Sequence, residues 1–118
     1  MENIKIVAIL FVSIIHLYIL FLEMYLWTSE KGVKSFGLKN KEFAQETKVM
    51  AANQGLYNGF LAIGLLWFLL IDNTNGIKYL LVCVIVAGLY GAYSTRLIKI
   101  IYIQSIPAII ALLLTLFF

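Results

Sequence analysis

Four long apolar runs, separated by short polar segments, constrain the fold of this chain more than any other feature. They cover residues 4–27, 47–71, 77–94 and 98–118, to within a few residues. A helix needs about 20 mostly apolar residues to cross the hydrocarbon core of a bilayer. The chain is 63% hydrophobic and 13% charged, and a soluble domain of this length could not bury so much apolar surface. The sequence therefore predicts an integral membrane protein.

The connections between the runs predict how the helices are arranged. The segment 72–76 reads Asp-Asn-Thr-Asn-Gly, a composition that favours a tight turn, and the segment 94–98 is equally short. Short connections make neighbouring helices antiparallel. We therefore predict an all-α fold, a membrane four-helix bundle with up-down-up-down topology. It forms one domain over residues 1–118, with residues 28–46 as a polar connector.

Basic residues predict the orientation in the cell membrane. Lys and Arg accumulate on the cytoplasmic side of membrane proteins. Of the nine basic residues, two lie on the side of both termini and the 72–76 turn, namely Lys5 and Lys78. The other seven lie on the opposite side: Lys31, Lys34, Lys39, Lys41, Lys48, Arg96 and Lys99. We predict a multi-pass protein of the plasma membrane with its connectors 28–46 and 94–98 in the cytoplasm and both termini outside.

Polar side chains occur in all four predicted spans and suggest a binding site. Ionisable and amide groups inside a membrane are costly, and they usually face the bundle interior. At about 1.5 Å of rise per residue, most of them lie roughly 6–9 Å from the cytoplasmic ends of their helices, with two nearer the middle. We predict a polar pocket that opens to the cytoplasm. Its candidate residues are His16, Glu23, Asn53, Gln54, Tyr57, Asn58, Tyr90 and Gln104.

Glu23 is the strongest of these candidates, because a carboxylate inside a bundle must be paired, protonated or hydrated. The amides could equally serve as hydrogen-bonding links between helices. With one histidine and one cysteine, and without the sequence patterns of metalloproteases or serine hydrolases, the chain presents no identifiable catalytic residue and no metal or cofactor site.

Small residues and one proline mark places of close packing. Gly55 and Gly59 are four apart in the second span, and Gly88 and Gly91 lie in the third. Small residues at such spacings let helices approach closely, so these faces serve packing within the bundle or a homo-oligomer. Pro107 removes a backbone donor inside the fourth span, which predicts a loosened turn around Ile103.

The second span carries a distinctive motif, Asn-Gln-Gly-x-Tyr-Asn-x-Phe-Leu-Ala-x-Gly-Leu over residues 53–65. Glu-Met-Tyr-Leu-Trp ends the first span at 23–27, Val-Ala-Gly-Leu-Tyr-Gly occupies 86–91, and Gln-Ser-Ile-Pro-Ala occupies 104–108. Together these features resemble a family of small bacterial integral membrane proteins classed only as a domain of unknown function. The resemblance implies a four-helix protein of the bacterial inner membrane. It implies no activity.

Three functions fit these observations. The first is a protein that binds or carries a small polar-headed or lipophilic ligand in the polar pocket, with membrane lipids as its other partners. The second is a structural or regulatory subunit of a membrane complex. The third is an intramembrane acid–base enzyme such as an isomerase, since a carboxylate, a histidine and amides suffice for proton transfer. Nucleic acid is not expected as a partner, because no basic surface interleaves with stacking aromatic residues.

Overall fold

The computed structural model describes all 118 residues, and the fold is entirely helical. Five α-helices follow one another along the chain: α1 (Glu2–Tyr25), α2 (Glu30–Ser35), α3 (Lys41–Leu70), α4 (Thr74–Thr95) and α5 (Ile106–Phe117). A π-helical turn, Ile101–Ser105, leads directly into α5. The all-α prediction is confirmed. By length and composition, α1 and α4 could each cross a membrane, while Ile101–Phe117 is a shorter apolar helical stretch.

Local hydrogen bonds explain where the helices begin. Ser29 Oγ accepts a hydrogen bond from Gly32 N at 3.1 Å and starts α2. Asn40 Oδ1 accepts one from Phe43 N at 2.8 Å, at the start of α3. Such caps satisfy amide groups that have no partner in the first turn of a helix. Because Asn40 caps it, α3 begins six residues earlier than the predicted span at 47, and takes up the end of the predicted connector.

The short turns lie close to the predicted segments, although α4 begins at Thr74, so the first turn covers residues 71–73 and not 72–76. Between α3 and α4, Asp72 adopts a positive φ of 53°, and Asn73 Oδ1 accepts a hydrogen bond from Gly76 N at 2.9 Å. Aspartate tolerates this left-handed conformation better than most residues. After α4, Arg96 adopts a φ of 60° and ends the helix in a left-handed cap. Both turns reverse the chain within a few residues.

The chain forms two compact units. The terminal unit comprises residues 1–15 and 61–118, and its core draws on α1, α3, α4 and α5. The buried core residues are Ile9, Val12, Leu65, Ile77, Leu81, Val84, Ala108 and Ala111. Ser105 Oγ donates a hydrogen bond to the carbonyl of Ile85 at 3.1 Å, which joins the π-helical turn to α4.

The π-helical turn has a local cause in the sequence. Pro107 has no amide hydrogen, so the helix cannot form its regular hydrogen bond to the carbonyl of Ile103. The turn Ile101–Ser105 widens at this point, and Ile106 N donates to the carbonyl of Ile101. The loosened turn that the sequence predicts around Ile103 is therefore confirmed.

The connector unit comprises residues 16–60, with the end of α1 from His16, all of α2 and the first two-thirds of α3. In this unit α1 and α3 run antiparallel, since Trp27 contacts Thr47 whereas Glu23 contacts Gln54 and Asn58. The buried residues of α3 in this unit are small, namely Ala44, Ala51, Gly55 and Gly59, and the two glycines face α1. Because these side chains are small, the two helices can lie close together.

Candidate functional site

Glu23 forms the centre of a polar cluster in the connector unit. Its side chain is 1% exposed. Gln54 Nε2 donates a hydrogen bond to Glu23 Oε2 at 2.6 Å, and Asn58 Nδ2 donates one to Glu23 Oε1 at 2.5 Å. Both carboxylate oxygens are therefore bound by neutral amides, neither of which brings a positive charge.

The two amides differ in how much of them reaches the surface. Gln54 is exposed, whereas Asn58 is half-buried and also donates to the carbonyl of Gln54 at 3.2 Å. Gln54 thus connects the buried Glu23 carboxyl group with the surface of the helix pair. Movement of this one flexible side chain would open the carboxylate to a molecule at the surface of the helix pair.

Gly55 brings α1 close enough for these hydrogen bonds. A β-carbon at Gly55 would lie 2.7 Å from Met24 Cγ, 3.1 Å from Glu23 Cβ and 3.2 Å from the carbonyl oxygen of Leu20. The short amide of Asn58 reaches Glu23 because no side chain separates the backbones here. Glycine at position 55 therefore allows the two helices to approach closely enough for the hydrogen bonds of the Glu23 cluster.

A second contact fixes α1 against α3 one turn below the cluster. Trp27 Nε1 donates to Thr47 Oγ1 at 3.0 Å, and Thr47 Oγ1 donates to the carbonyl of Phe43 at 2.8 Å. The Trp27 ring also packs on Phe36, with the centroids 4.8 Å apart. Thr47 is not among the residues that the sequence predicts for the site. Its only signal is the need of a buried indole N–H for an acceptor, and this does not identify which acceptor.

The remaining candidates of the connector unit lie outside this cluster. Asn53 is exposed, and its Nδ2 donates to the carbonyl of Val49 in its own helix at 2.9 Å. Tyr57 is 59% exposed and packs against Phe60, with ring centroids 6.0 Å apart. His16 is buried, two turns before Glu23 on α1 and about 10 Å from it along the helix axis. Two of the predicted site residues, Gln54 and Asn58, are thus hydrogen-bonded to Glu23 in the structure.

The other two candidates belong to the terminal unit. Tyr90 is 68% exposed and packs against Tyr93, with ring centroids 6.4 Å apart. Gln104 is half-buried in the π-helical turn. Neither residue belongs to the unit that contains the Glu23 cluster.

The glycines proposed for a homo-oligomer contact residues of their own chain. Gly55 and Gly59 face α1, where a β-carbon at Gly59 would lie 2.6 Å from Leu20 Cδ1. A β-carbon at Gly88 would overlap Ser105 Oγ, while one at Gly91 would make an ordinary 3.6 Å contact with Ile100. Packing within the chain accounts for these glycines. A homo-oligomer stays a prediction.

The cluster is suited to binding a hydrogen-bond donor. The buried Glu23 carboxyl group accepts hydrogen bonds from two neutral amides and has no cation beside it. Hydrogen bonds that involve a charged group are stronger than those between neutral groups. A ligand that carries positive charge and N–H groups could replace Gln54 at one oxygen. The amide displaced in this way would remain at the surface, where it can be solvated.

Comparison with known proteins places the chain in a family. A family model described as "Protein of unknown function (DUF1304)" matches residues 10–116. The chain belongs to this family. The DUF1304 chain is also similar to "Uncharacterized protein YpaA" of Lactococcus lactis subsp. lactis (strain IL1403), with 28% identity over 120 residues that cover 99% of this chain and 100% of the relative. No solved structure matches it. The predicted resemblance to a family of unknown function is confirmed.

Proposed function

We propose that this DUF1304 protein is a multi-pass protein of the cell membrane that binds a small ligand with a cationic, hydrogen-bond-donating head at Glu23. The main observation in support is that the Glu23 carboxyl group is buried and accepts hydrogen bonds from two neutral amides. Three steps support the proposal: the apolar surface of the helices, the distribution of basic residues, and the chemistry of the cluster.

The apolar surface supports placement in a membrane. In the most apolar 18-residue stretch of α1 and of α4, 28% of the residues are buried. On α4 the exposed residues include Val82, Val86, Leu89 and Tyr93. A core helix of a soluble protein buries its apolar residues, and monomeric soluble proteins seldom expose large continuous apolar patches. Acyl chains would cover this surface without loss of hydrogen bonds.

Helix lengths agree with this placement. At about 1.5 Å per residue, the 24 residues of α1 extend about 36 Å and the 22 residues of α4 about 33 Å. Both exceed the hydrocarbon thickness of about 30 Å. Residues 51–70 of α3 and the stretch Ile101–Phe117 would complete four crossings in a single membrane domain over 1–118. Seven of nine basic residues then lie on the side of the connectors, which supports a cytoplasmic location for 28–46 and 94–98.

The chemistry of the cluster supports a cationic ligand. A carboxylate among apolar helices is expensive unless it is paired, and Gln54 and Asn58 compensate it by hydrogen bonds alone. An ammonium group would add the missing positive charge. Because Gln54 is exposed and donates to Glu23, the ligand would approach at the surface of the α1–α3 pair, and an apolar tail could remain among the acyl chains.

Binding of an alkylammonium probe tests the proposal. We expect decylammonium to bind the purified protein in lipid nanodiscs, as measured by calorimetry, and neutral decanol of equal chain length not to bind at the same site. Glu23→Gln keeps the shape of the side chain and removes its charge. Since a hydrogen bond to a charged group contributes about 1.5–3 kcal/mol, the affinity should fall about 10- to 100-fold.

A matched control is available in the chain. Asp72→Asn removes the same charge from an exposed turn, where asparagine accepts the positive φ of 53° as readily as aspartate. This variant should bind decylammonium as the wild type does. Equal affinities for wild type and Glu23→Gln, or equal binding of decanol, would refute a cationic site at Glu23. Extraction of the protein from membranes by alkaline carbonate would refute the membrane placement separately.

A further inference from the structure

No lysine or arginine of the chain pairs with Glu23. The ion pair in the structure joins Lys5 to Glu2, near the start of α1. Lys31, on α2, has its Nζ over the ring of Tyr18, 5.4 Å from the centroid. Tyr18 and Glu23 are five residues apart on α1, which places them about 140° apart around the helix axis. The cation of Lys31 therefore lies at another face of α1, and a positive charge at Glu23 would have to come from a ligand.

The two oxygens of Glu23 are held by successive turns of α3. Gln54 donates to Oε2, and Asn58, four residues later, donates to Oε1. Four residues rise about 6 Å along a helix, so each oxygen has its own donor at its own level of α3. A molecule that replaces one of these amides meets one oxygen and leaves the other one bound.

Asn58 is held more firmly than Gln54. Its Nδ2 donates both to Glu23 and to the backbone carbonyl of Gln54, which engages both of its amide hydrogens. The next turn of α3 packs closely on α1, since a β-carbon at Gly59 would lie 2.6 Å from Leu20 Cδ1. Gln54 is exposed, and its side chain donates to Glu23 alone. A ligand from the surface would therefore displace the side chain of Gln54 and not that of Asn58.

Cationic heads differ in the number of carboxylate oxygens that they need. A guanidinium group binds a carboxylate best through two parallel N–H groups, one to each oxygen. A primary ammonium group is a compact charge that can donate to one oxygen and turn its other N–H groups towards water. A quaternary ammonium group carries the charge and has no N–H. Because Asn58 retains Oε1 of Glu23, the cluster suits the primary ammonium group best.

We propose that Glu23 binds its ligand through Oε2 while Asn58 keeps Oε1, and that the site selects a primary ammonium head over a guanidinium or a quaternary ammonium head. Gln54 is then the donor that the ligand exchanges, and Asn58 is the residue that determines specificity. This inference rests on the ligand-binding function proposed above, and it narrows the ligand to amphiphilic primary amines.

Three probes with the same decyl chain and different heads test this specificity. Decylammonium, decylguanidinium and decyltrimethylammonium are titrated by calorimetry into nanodiscs that hold wild type or Glu23→Gln. The ratio of the two affinities removes the partitioning of each probe into lipid. We expect a ratio of about 10–100 for decylammonium. The ratio for decylguanidinium should be about 3- to 10-fold smaller, because this head forgoes one hydrogen bond or breaks those of Asn58. Decyltrimethylammonium should give a ratio of about 1, because it has no donor.

Substitution of each amide, in the wild-type and Glu23→Gln backgrounds, separates their roles. Asn58→Ala frees Oε1, so decylguanidinium should gain its second contact and reach at least the ratio of decylammonium. Gln54→Ala removes the donor that the ligand displaces, so decylammonium should bind about 2- to 10-fold more tightly and remain preferred over decylguanidinium. Asn53→Ala is the matched control, because Asn53 is exposed beside Gln54 and bonds to its own helix. It should change none of the three ratios.

The outcomes distinguish this specificity from ligand binding as such. Failure of decylammonium to bind wild type would refute the function proposed for Glu23. Equal ratios for decylammonium and decylguanidinium in wild type would leave that function standing and overturn the binding through one oxygen. Weaker binding of decylammonium to Gln54→Ala would overturn it too, since Gln54 would then hold the ligand. These two comparisons retain Asn58, so they decide the question even if Asn58→Ala does not fold.

Discussion

Gly55 and Gly59 are one turn apart on the face of α3 that packs against α1, yet a methyl group would meet different atoms at the two positions. At Gly55 it would lie 2.7 Å from Met24 Cγ, which belongs to a flexible side chain, and would also press on the backbone oxygen of Leu20 at 3.2 Å and on Glu23 Cβ at 3.1 Å. At Gly59 its near neighbour is Leu20 Cδ1, the end of a flexible side chain. Rotation of Met24 can relieve the nearest contact at Gly55, but the contacts with the Leu20 oxygen and Glu23 Cβ can be relieved only by moving α1. The contact at Gly59 can be relieved by rotating the side chain of Leu20.

The magnitudes follow from this difference. Replacing glycine by alanine inside a helix stabilises it by about 0.5–1 kcal/mol, and this gain is common to both positions. Overpacking costs about 1–3 kcal/mol where the neighbours cannot yield. Gly55→Ala should therefore be less stable than Gly59→Ala by about 1–3 kcal/mol. Because the displaced helix carries Glu23, Gly55→Ala should also weaken decylammonium binding.

Reversible unfolding of the two variants in detergent micelles, titrated with SDS and followed by circular dichroism, measures this difference. Wild type provides the reference for both. Equal stability of Gly55→Ala and Gly59→Ala would refute the idea that close backbone contact at Gly55 sets the position of α1. A Gly59→Ala variant less stable than Gly55→Ala would show that Leu20 is the more rigid neighbour.

Three further substitutions probe contacts elsewhere. Trp27→Phe keeps the ring packing on Phe36 but leaves Thr47 without its donor, and unfolding should become easier by about 1 kcal/mol; no change in the SDS midpoint would contradict this. A β-carbon at Gly32 would overlap the carbonyl oxygen of Leu26, so Gly32→Ala should release α2 from the end of α1. The connector should then be cleaved faster by a protease, and an unchanged cleavage rate would contradict this prediction. Ser105→Ala should cost about 1 kcal/mol through loss of the bond to the Ile85 carbonyl, and an unchanged midpoint would show that the π-helical turn does not need it.

The sequence predicted the helical class well because apolar runs and turn residues act locally. The turn at 72–76 follows from side chains that cap or tolerate a positive φ, as Asn73 and Asp72 do. The widened turn before α5 follows from Pro107 alone. α3 begins at Lys41, before the predicted span at 47, because Asn40 caps its first turn. The first turns of α3 are mostly polar, so the apolar pattern in the sequence does not reveal them.

The candidate site was predicted in part. The distance of a residue from the end of its helix can be counted in the sequence. By this measure, eight polar side chains are candidates, some near the predicted cytoplasmic ends of the helices and others nearer the middle of the membrane. Depth carries no information about the direction of a side chain around the helix axis. Asn53 and Gln54 are adjacent in sequence and nearly 100° apart around α3, and only Gln54 reaches Glu23. Asn53 bonds to its own helix instead.

The amino-acid sequence by itself determined that the chain is helical and approximately where its turns lie. It also identified Glu23 as an ionisable residue within an apolar helix. These properties depend on residues that are neighbours along the chain or on one helix. Tertiary structure alone decided that Glu23 is bound by Gln54 and Asn58, that Trp27 bonds Thr47, and that Lys31 lies over Tyr18. Those contacts depend on the rotation and separation of packed helices, which are set by the shapes of both surfaces together.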